Sequence, residues 1–481
     1  MTEALLHTGI FALGLAFSLS AHRVTGVPFA CAAAYPLGSL IWVLVGLVAL
    51  VGPWPYARGV LVAGILAALV GAAVAWIRST RPDLRSLSLG CACFALASMV
   101  FGHLNLAVLS VDSYHYIGIG RSLATFGELG PLASELTNYG VFQLLVQSAS
   151  VFVGLEYLHA AAPLLAASGV ACFVVLAQRG LIAMHGDPAG RRLAAGAALL
   201  GGVAAFAMSA PYFMLAQALY IHTNYAAGVY LLLFCATFWL AELEDEPGWL
   251  PFAFAFLLAF SLQRLELPVF AVLFVVLASS ECTLARGAVD RWLAIFVVVV
   301  VLWYLHLASG ASEDTRLLTS ERAVGISVLV AAAFPLVRAL RSPRLDRLRP
   351  WVPAVGVAAV GVGLLIASAA NPEQMSESAG ALVSHLRDPV WGFVWLAFPI
   401  LALAVARESA IPLQRLFSHG CAAALLGIVL AGALRAGYHD GWTDSGNRML
   451  THVAPTLFFF FAVSLGRRSV ASCAPAPLRQ S

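Results

Sequence analysis

Apolar runs of about 20 residues recur along this chain, and they constrain its fold more than any other feature, because a helix of that length crosses the ~30 Å hydrocarbon core of a bilayer. Lipid offers the backbone no hydrogen-bond partners, so only helices and closed barrels can cross it. Barrel strands would give alternating segments of about ten residues, and the sequence has none. With 61% hydrophobic and 11% charged residues, the composition excludes a soluble enzyme, a disordered regulator and a fibrous protein. The sequence predicts an all-α, polytopic helical membrane protein.

Loop charge sets the number of spans and their orientation. Residues 249–280 allow either one long helix or a hairpin of two short helices broken at 263–266. Only the hairpin keeps the Arg clusters at 78–85, 179–192 and 338–349 on one side, which the positive-inside rule makes the cytoplasm. About 13–15 transmembrane helices result, with the N-terminus outside and the C-terminus inside. Besides the hairpin, the apolar spans lie near 4–20, 29–52, 58–77, 87–109, 157–178, 193–212, 219–241, 290–308, 323–340, 351–370, 389–406, 412–434 and 449–466.

Two outward loops carry structural predictions of their own. The first large loop, 110–156, contains the short apolar stretch 137–153, which predicts an interfacial or re-entrant helix. The outward segment 371–388 begins with a polar, acidic sequence, and we interpret that part as a solvated loop.

The first large outward loop also contains a candidate site, SVDSYHYIGIGR at 110–121. If this segment is helical, Asp112, His115 and Tyr116 share one face, because they are three and four residues apart. A carboxylate at the membrane–water boundary can act as general base toward a hydroxyl, tuned by His115 or a divalent ion. The structural alternative is that Asp112 caps an interfacial helix and that Tyr114 and Tyr116 belong to an aromatic belt.

A second candidate is the turn Gln263-Arg264-Leu265-Glu266 inside the apolar stretch 249–280. Charges at such a position cost several kcal/mol unless they are paired or hydrated, so they are functional candidates by default. We interpret Arg264 as substrate-binding and Glu266 as catalytic, in a cavity that enters the bilayer from outside. The alternative is a structural ion pair, or an Arg264 side chain that extends to the surface. The segment His222-Thr-Asn224-Tyr225, near the outer end of another span, is a further candidate to line this cavity. In the alternative, His222 is a hydrogen-bonded histidine within a helix.

The third candidate is the last outward loop, which runs into the last span. Arg448 at the start of a helix, with free backbone N–H groups and the helix dipole behind it, would form an anion site suited to phosphate. We group Asp444 and Asn447 with it as substrate-binding residues. In the alternative, Asn447 or Ser445 is an ordinary helix cap, and Arg448 anchors the interface.

Together these segments resemble the GT-C superfamily of integral-membrane glycosyltransferases, which includes the protein O-mannosyltransferases and the lipid A aminoarabinose transferases. The matching stretches are VDSYHYIGIGRSLATFGELG at 111–130, QRLE at 263–266 and DSGNRMLTHVAP at 444–455. The first is similar to the family's Asp-containing loop and the amphipathic helix after it. The last is similar to its arginine-bearing segment before a Pro-containing helix.

The resemblance implies a chemistry and a domain organisation. A loop Asp, here Asp112, would serve as catalytic base or metal contact, with Mg²⁺ or Mn²⁺ as the metal, and a polyprenyl-phosphate sugar would be the donor. Many relatives carry Asp-Glu or Asp-x-Asp where this chain has Asp112-Ser113. The chain also has extra spans before this loop. We therefore divide it into additional N-terminal helices (1–85), a GT-C-like catalytic module (86–466) and a cytoplasmic tail (467–481).

We thus predict an inverting glycosyltransferase of the bacterial inner membrane whose site opens to the periplasm. Asp112 would deprotonate the acceptor hydroxyl, Arg448 and Arg264 would stabilise the phosphate leaving group, and His115 or Glu266 would orient the acceptor or the sugar. Tyr116 and His222 would contact substrate. The expected partners are the lipid-linked sugar, a lipid, glycan or protein acceptor, and membrane lipids, without nucleic acid.

Two other functions stay open at this stage. A transporter or flippase of lipids or lipid-linked glycans would show internal pseudo-symmetry and polar groups near the bilayer midplane. An O-antigen-type polymerase or ligase would have its large outward loop late in the chain. Here the largest outward loop, 110–156, comes early, and the two halves of the sequence do not correspond.

Overall fold

The computed structural model describes residues 2–51, 56, 59, 64, 66, 70–71, 83–107, 109, 111–126, 140–185, 196, 217–310, 319–387, 414–434 and 449–473. Within these ranges the chain forms helices joined by loops and short 3-10 turns, and no β-strand occurs. The principal helices are α1 Thr2–Leu19, α2 Val27–Val51, α3 Leu84–Leu104, α4 Val111–Phe126, α5 Val141–Ser148, α6 Ala161–His185, α7 Asn224–Leu243, α8 Leu250–Ser261, α9 Leu267–Glu281, α10 Arg286–Gly310, α11 Ser320–Leu340, α12 Val352–Ala370, α13 Pro372–Arg387, α14 Gln414–Leu434 and α15 Ala454–Cys473.

The expected all-α, polytopic membrane fold is confirmed. In the described ranges, nine helices are long and apolar enough to cross a membrane, and four shorter apolar helical segments accompany them. The spans expected near 58–77, 193–212 and 389–406 lie wholly or almost wholly outside the described residues. The division of the chain at residue 85 stays a prediction.

The helices differ in how far they are enclosed by the others. In the 18-residue apolar stretch of α7, 89% of the residues are buried, so this helix runs through the centre of the bundle. In the corresponding stretches of α3 and α12 only 11% of the residues are buried. Large apolar side chains such as Leu96, Val328 and Leu365 are exposed on the outer helices. A helix that is apolar all round belongs in a core or against lipid, so these exposed surfaces are the lipid-facing ones.

Residues 249–280 form the hairpin and not one long helix. The two helices, α8 and α9, have 12 and 15 residues, and each has a proline in its first turn, Pro251 and Pro268. Proline fits there because that position needs no backbone N–H donor. At about 1.5 Å per residue, the helices extend roughly 18 and 22 Å, less than the ~30 Å hydrocarbon core. The turn at 263–266 therefore lies within the depth of the bundle.

Contacts between helix ends show which loops share a face. Arg179, near the end of α6, forms a bidentate ion pair with Glu244 after α7, with N–O distances of 2.6 and 2.8 Å. Glu242 accepts hydrogen bonds from Thr283, in the loop between α9 and α10. Arg341, after α11, donates to a backbone carbonyl of that same loop. These ends define one face of the bundle, here called the Arg-rich face, as the hairpin predicted. Its assignment to the cytoplasm stays a prediction.

The start of α1 lies on the opposite face, beside the start of α6. The buried carboxylate of Glu3 accepts a hydrogen bond from the backbone N–H of Ala160 at 2.8 Å and contacts His159 at 3.1 Å. It also contacts His7 at 3.3 Å, and the other ring nitrogen of His7 lies 2.9 Å from the Tyr35 hydroxyl. This network fixes α1 to α2 and to the segment before α6.

The structure decides the two loop predictions differently. Every residue of α5 is buried, so the described part of this stretch, 141–148, packs inside the bundle, as a re-entrant segment would, and not on a membrane surface. The prediction of a solvated loop after residue 371 is wrong, because Pro372–Arg387 forms the helix α13. Asn371 caps this helix by accepting from the backbone N–H of Gln374 at 3.2 Å, and Ser378 donates to the Val429 carbonyl of α14 at 2.8 Å. An Asn cap and tertiary contacts thus stabilise a polar helix that its composition did not indicate.

Gly14 marks the closest approach of α1 to α2, since a Cβ atom there would lie 1.8 Å from the carbonyl oxygen of Ala34. We expect Gly14→Ala to force the two helices apart and to destabilise the fold by about 1–3 kcal/mol. The thermal unfolding midpoint of the purified protein in detergent measures this. Gly9→Ala is the matched control, because nothing lies within 4 Å of a Cβ atom at Gly9. Equal midpoints for the two variants would contradict the packing of α1 on α2.

Candidate functional site

Four segments meet at the face opposite to the Arg-rich face. They are the first turns of α4, the loop before α7, the hairpin turn between α8 and α9, and the 3-10 turn Leu450–His452 before α15. Two glycines allow backbones to touch here. A Cβ atom on Gly228 would lie 2.1 Å from the Thr451 carbonyl oxygen, and one on Gly140 would lie 1.7 Å from that of Gln263. Backbone packing therefore fixes the 3-10 turn on α7 and the start of α5 on the hairpin.

Asp112, in the first turn of α4, pairs with His222, with 3.2 Å between Oδ2 and Nε2. The Nδ1 atom of His222 accepts hydrogen bonds from the backbone N–H groups of Thr223 and Asn224, at 2.9 and 3.3 Å. A ring nitrogen that accepts carries no proton, so the neutral imidazole is protonated on Nε2 and donates to Asp112. The His222 side chain is 4% exposed and that of Asp112 is 31% exposed. A buried imidazole thus orients a carboxylate that is itself partly exposed.

Tyr116 lies one turn further along α4, on the same side as Asp112. Its ring meets His222 edge-on, with 5.5 Å between centroids, and its hydroxyl is 3.3 Å from Thr223 Oγ1. Burial raises the pKa of the Tyr116 phenol, so the hydroxyl stays protonated. The expected common face of Asp112 and Tyr116 is therefore present. His115 is exposed on the flank of this face, about 100° round the helix from Tyr116.

Arg264 forms the ion pair of the structural alternative, but its side chain does not extend to the surface. Its Nε atom lies 2.8 Å from Glu266 Oε1. Its Nη1 atom donates to Asn224 Oδ1 at 2.8 Å, so the side chain points to the centre of the bundle and does not extend to the surface. An arginine side chain keeps its charge in proteins, and the Glu266 carboxylate balances that charge. Arg264 is thus a permanent cation held against α7.

Asn224, the first residue of α7, joins two of the four segments to this helix. Besides the bond from Arg264, its Oδ1 atom accepts one from His452 Nε2 at 3.1 Å. Asn224 is fully buried, and His452 is 4% exposed. The hairpin turn and the turn Leu450–His452 therefore share a single buried acceptor.

The residues of the third candidate are not placed. Asp444, Asn447 and Arg448 all lie outside the described residues. The described chain resumes at Met449, which is buried, and three residues later His452 reaches Asn224. The segment that follows Arg448 therefore belongs to the site.

A small cavity lies next to His222. Its volume is about 20 Å³, which is room for about one water molecule. Gln217 is 2% exposed, and its Oε1 atom has no hydrogen-bond partner within the described residues, so a water molecule would satisfy it. Polar side chains that line this cavity belong to Tyr35, Ser39, Gln143, Gln217, Tyr220, His222 and Tyr225.

The described residues do not form a metal site around Asp112. No group of three or more His, Cys, Asp or Glu side chains is arranged there, or elsewhere in the described part of the chain, to hold a metal ion. The His222 nitrogen that faces Asp112 carries a proton and has no lone pair to offer a metal. The role of Asp112 as a contact for Mg²⁺ or Mn²⁺ stays a prediction, since one or two carboxylates together with a substrate phosphate can hold such an ion.

Sequence reasoning named Asp112, Tyr116, His222, Arg264 and Glu266, and the structure brings all five together. It gave no separate role to Thr223, Asn224 and His452, although they lie in the stretches 222–225 and 444–455 that it singled out. A signal existed for two of them, because Asn224 and His452 are polar residues next to long apolar stretches, where an unpaired polar group is costly. Nothing in the spacing of the sequence showed that both would share one partner.

No family model, no curated protein and no solved structure matches this chain. The resemblance to GT-C enzymes therefore rests on the stretches 111–130, 263–266 and 444–455 alone.

The shared acceptor on Asn224 can be tested by removing it. We expect Asn224→Leu to destabilise the protein by about 2–4 kcal/mol, because it leaves the Arg264 and His452 donors buried without an acceptor. Thr237→Val is the control on the same helix. The Thr237 hydroxyl bonds only to carbonyl groups of α7, so its loss should cost about 1 kcal/mol or less. Unfolding by heat or denaturant compares the two, and equal stability would refute the joining role of Asn224.

Proposed function

We propose that this protein is a membrane glycosyltransferase that moves a sugar from a polyprenyl-phosphate donor to a hydroxyl acceptor at the periplasmic face of the bacterial inner membrane. One observation carries the proposal. The Asp112 carboxylate is partly exposed and is held by a buried, neutral His222. Beside it lies the permanent cation Arg264. A base and cationic groups near one another are what transfer from a phosphate-linked donor requires.

Asp112 acts as the general base. It takes the proton of the acceptor hydroxyl while the acceptor oxygen bonds to the anomeric carbon and the bond from that carbon to the phosphate oxygen breaks. The electron pair leaves with the polyprenyl phosphate, and the anomeric centre inverts. His222 keeps Asp112 oriented through its Nε2–H group, and Tyr116 supports His222 from the side. His222 and Tyr116 are thus positioning residues here, and neither need touch substrate.

The balance of charge in the site favours Arg448 over Arg264 as the residue that binds the phosphate. Among the described residues of the site, one guanidinium, that of Arg264, faces the two carboxylates of Asp112 and Glu266. This excess of negative charge would repel a phosphate. A second cation is therefore required, and Arg448 precedes a segment that joins the site through His452. A guanidinium suits the charge and geometry of a phosphate leaving group.

Asp112 is the residue that would contact Mg²⁺ or Mn²⁺, and a bound ion would neutralise charge on the phosphate. The steps given above are those of the side chains. Assays with and without Mg²⁺ or Mn²⁺ belong in the first experiment, because Asp112 is the residue at which the resemblance would place the ion.

The role of Asp112 is tested by sugar transfer with the purified protein and radiolabelled polyprenyl-phosphate sugars. We expect Asp112→Asn to lower turnover by about 10²–10⁴-fold, because the amide cannot take up the proton, while donor binding persists. Tyr114→Phe is the matched control, since Tyr114 lies on the same helix and its side chain is exposed. Near-normal turnover by Asp112→Asn would exclude this residue as the base. Saturable binding of lipid phosphate without turnover of any donor would favour the transporter.

The charge argument predicts the effect of a second variant. We expect Arg448→Gln to lower kcat by about 10²–10³-fold, because negative charge develops on the phosphate in the transition state. Arg322→Gln removes the same charge from an exposed position near the start of α11, on the same face of the bundle, and should leave kcat within about twofold of the original value. A similar loss in both variants would mean that only the overall charge of this face matters.

A further inference from the structure

Arg341 is a buried cation on the face opposite to the site. It follows the last turn of α11, and its side chain is among the largest fully buried ones, at 2% exposure. Its Nη2 atom donates to the Leu284 carbonyl oxygen, in the loop between α9 and α10. Its Nε and Nη1 atoms have no hydrogen-bond partner within the described residues. Most of the donors of this guanidinium thus lack an acceptor there.

No carboxylate in the described ranges pairs with Arg341. The charged groups close enough to act on it are Asp290, Arg349 and Arg286, and no ion pair joins it to Asp290. A buried guanidinium without a counter-ion costs several kcal/mol, since it has lost its hydration without gaining an equivalent partner. Its burial at this place indicates a role for an anion.

The surroundings of Arg341 are strongly basic. The segment after it folds back over the end of α11, where Arg349 donates to the Leu340 carbonyl oxygen at 2.8 Å and lies 3.3 Å from Asp346. Three further arginines are exposed around this segment, and they are Arg338, Arg344 and Arg347. Basic pockets between helix ends at the level of the headgroups are typical binding places for anionic lipids.

We propose that Arg341, with Arg286 and Arg349 beside it, forms a binding site for a phosphate group, supplied by the headgroup of an anionic phospholipid or by soluble phosphate. The guanidinium provides donors of the geometry that phosphate oxygens accept, and the bond to Leu284 fixes its orientation. The bound phosphate would join the end of α11 to the loop between α9 and α10. The site is separate from the one that contains Asp112, so the two stand or fall independently.

The test uses the full chain in a maltoside detergent, which contains no phosphate. The thermal unfolding midpoint is measured on adding phosphatidylglycerol, phosphatidylcholine or inorganic phosphate, at constant ionic strength. We expect phosphatidylglycerol to raise the midpoint by roughly 3 °C in the original protein. The rise should be nearly lost in Arg341→Gln and kept in Arg344→Gln, which removes the same charge from an exposed position of the same segment.

The arms of the test identify the source of the phosphate. A rise with phosphatidylglycerol alone would assign the site to a lipid headgroup, and an equal rise with inorganic phosphate would assign it to soluble phosphate. Equal rises in the Arg341 and Arg344 variants, or no rise with either anion in the original protein, would overturn the proposal. If Arg341→Gln fails to fold, Arg341→Lys replaces it. Lysine keeps the charge but loses the planar donors, so we expect a reduced rise, and an unreduced rise would equally overturn the proposal.

Discussion

The contact between Arg264 and the start of α7 is the interaction on which the site depends. An isolated charge within the bundle would be expensive, so Arg264 needs partners, and they come from different parts of the chain. Glu266 neutralises it, and Asn224 accepts one of its hydrogen bonds. Because Asn224 also accepts from His452, the hairpin and the segment before α15 are both fixed to the central helix. The burial of one charge thus determines where three segments can be.

The position of the polar groups bears on the choice between enzyme and transporter. Asn224 lies at one end of α7. Apart from Thr237, the residues from Ala226 to Ala241 are almost wholly apolar or aromatic, and they are packed among other helices. On α7 the polar contacts of the site therefore lie at one end. A pathway for a transported substrate would instead need polar or ionisable groups along the depth of the membrane. The composition of α7 thus favours the proposed enzyme over a transporter.

Local sequence could predict the parts of the fold that depend on the residues of one segment and not on tertiary contacts. The hairpin follows from Pro268 and from the Arg264–Glu266 break, both visible in the sequence, and from the need to keep the Arg clusters on one side. The helix α13 could not be predicted in the same way, because its polar residues give no apolar span. Contacts such as that of Ser378 with α14 stabilise it. The exposure of His115 beside a buried Tyr116 likewise depends on which side of α4 faces the bundle.

The sequence by itself determined that this is an all-α membrane protein with a helical hairpin at 249–280 and with polar candidate residues in a few segments between the apolar spans. This was possible because the length of an apolar run can be compared directly with the thickness of a bilayer. The comparison does not require knowing which residues lie next to each other in the fold. Only the tertiary structure decided that Asp112 pairs with His222, 110 residues away, and that Arg264 and His452 share Asn224. Hydrogen bonds act over about 3 Å, so the packing of the helix ends decides which polar side chains meet.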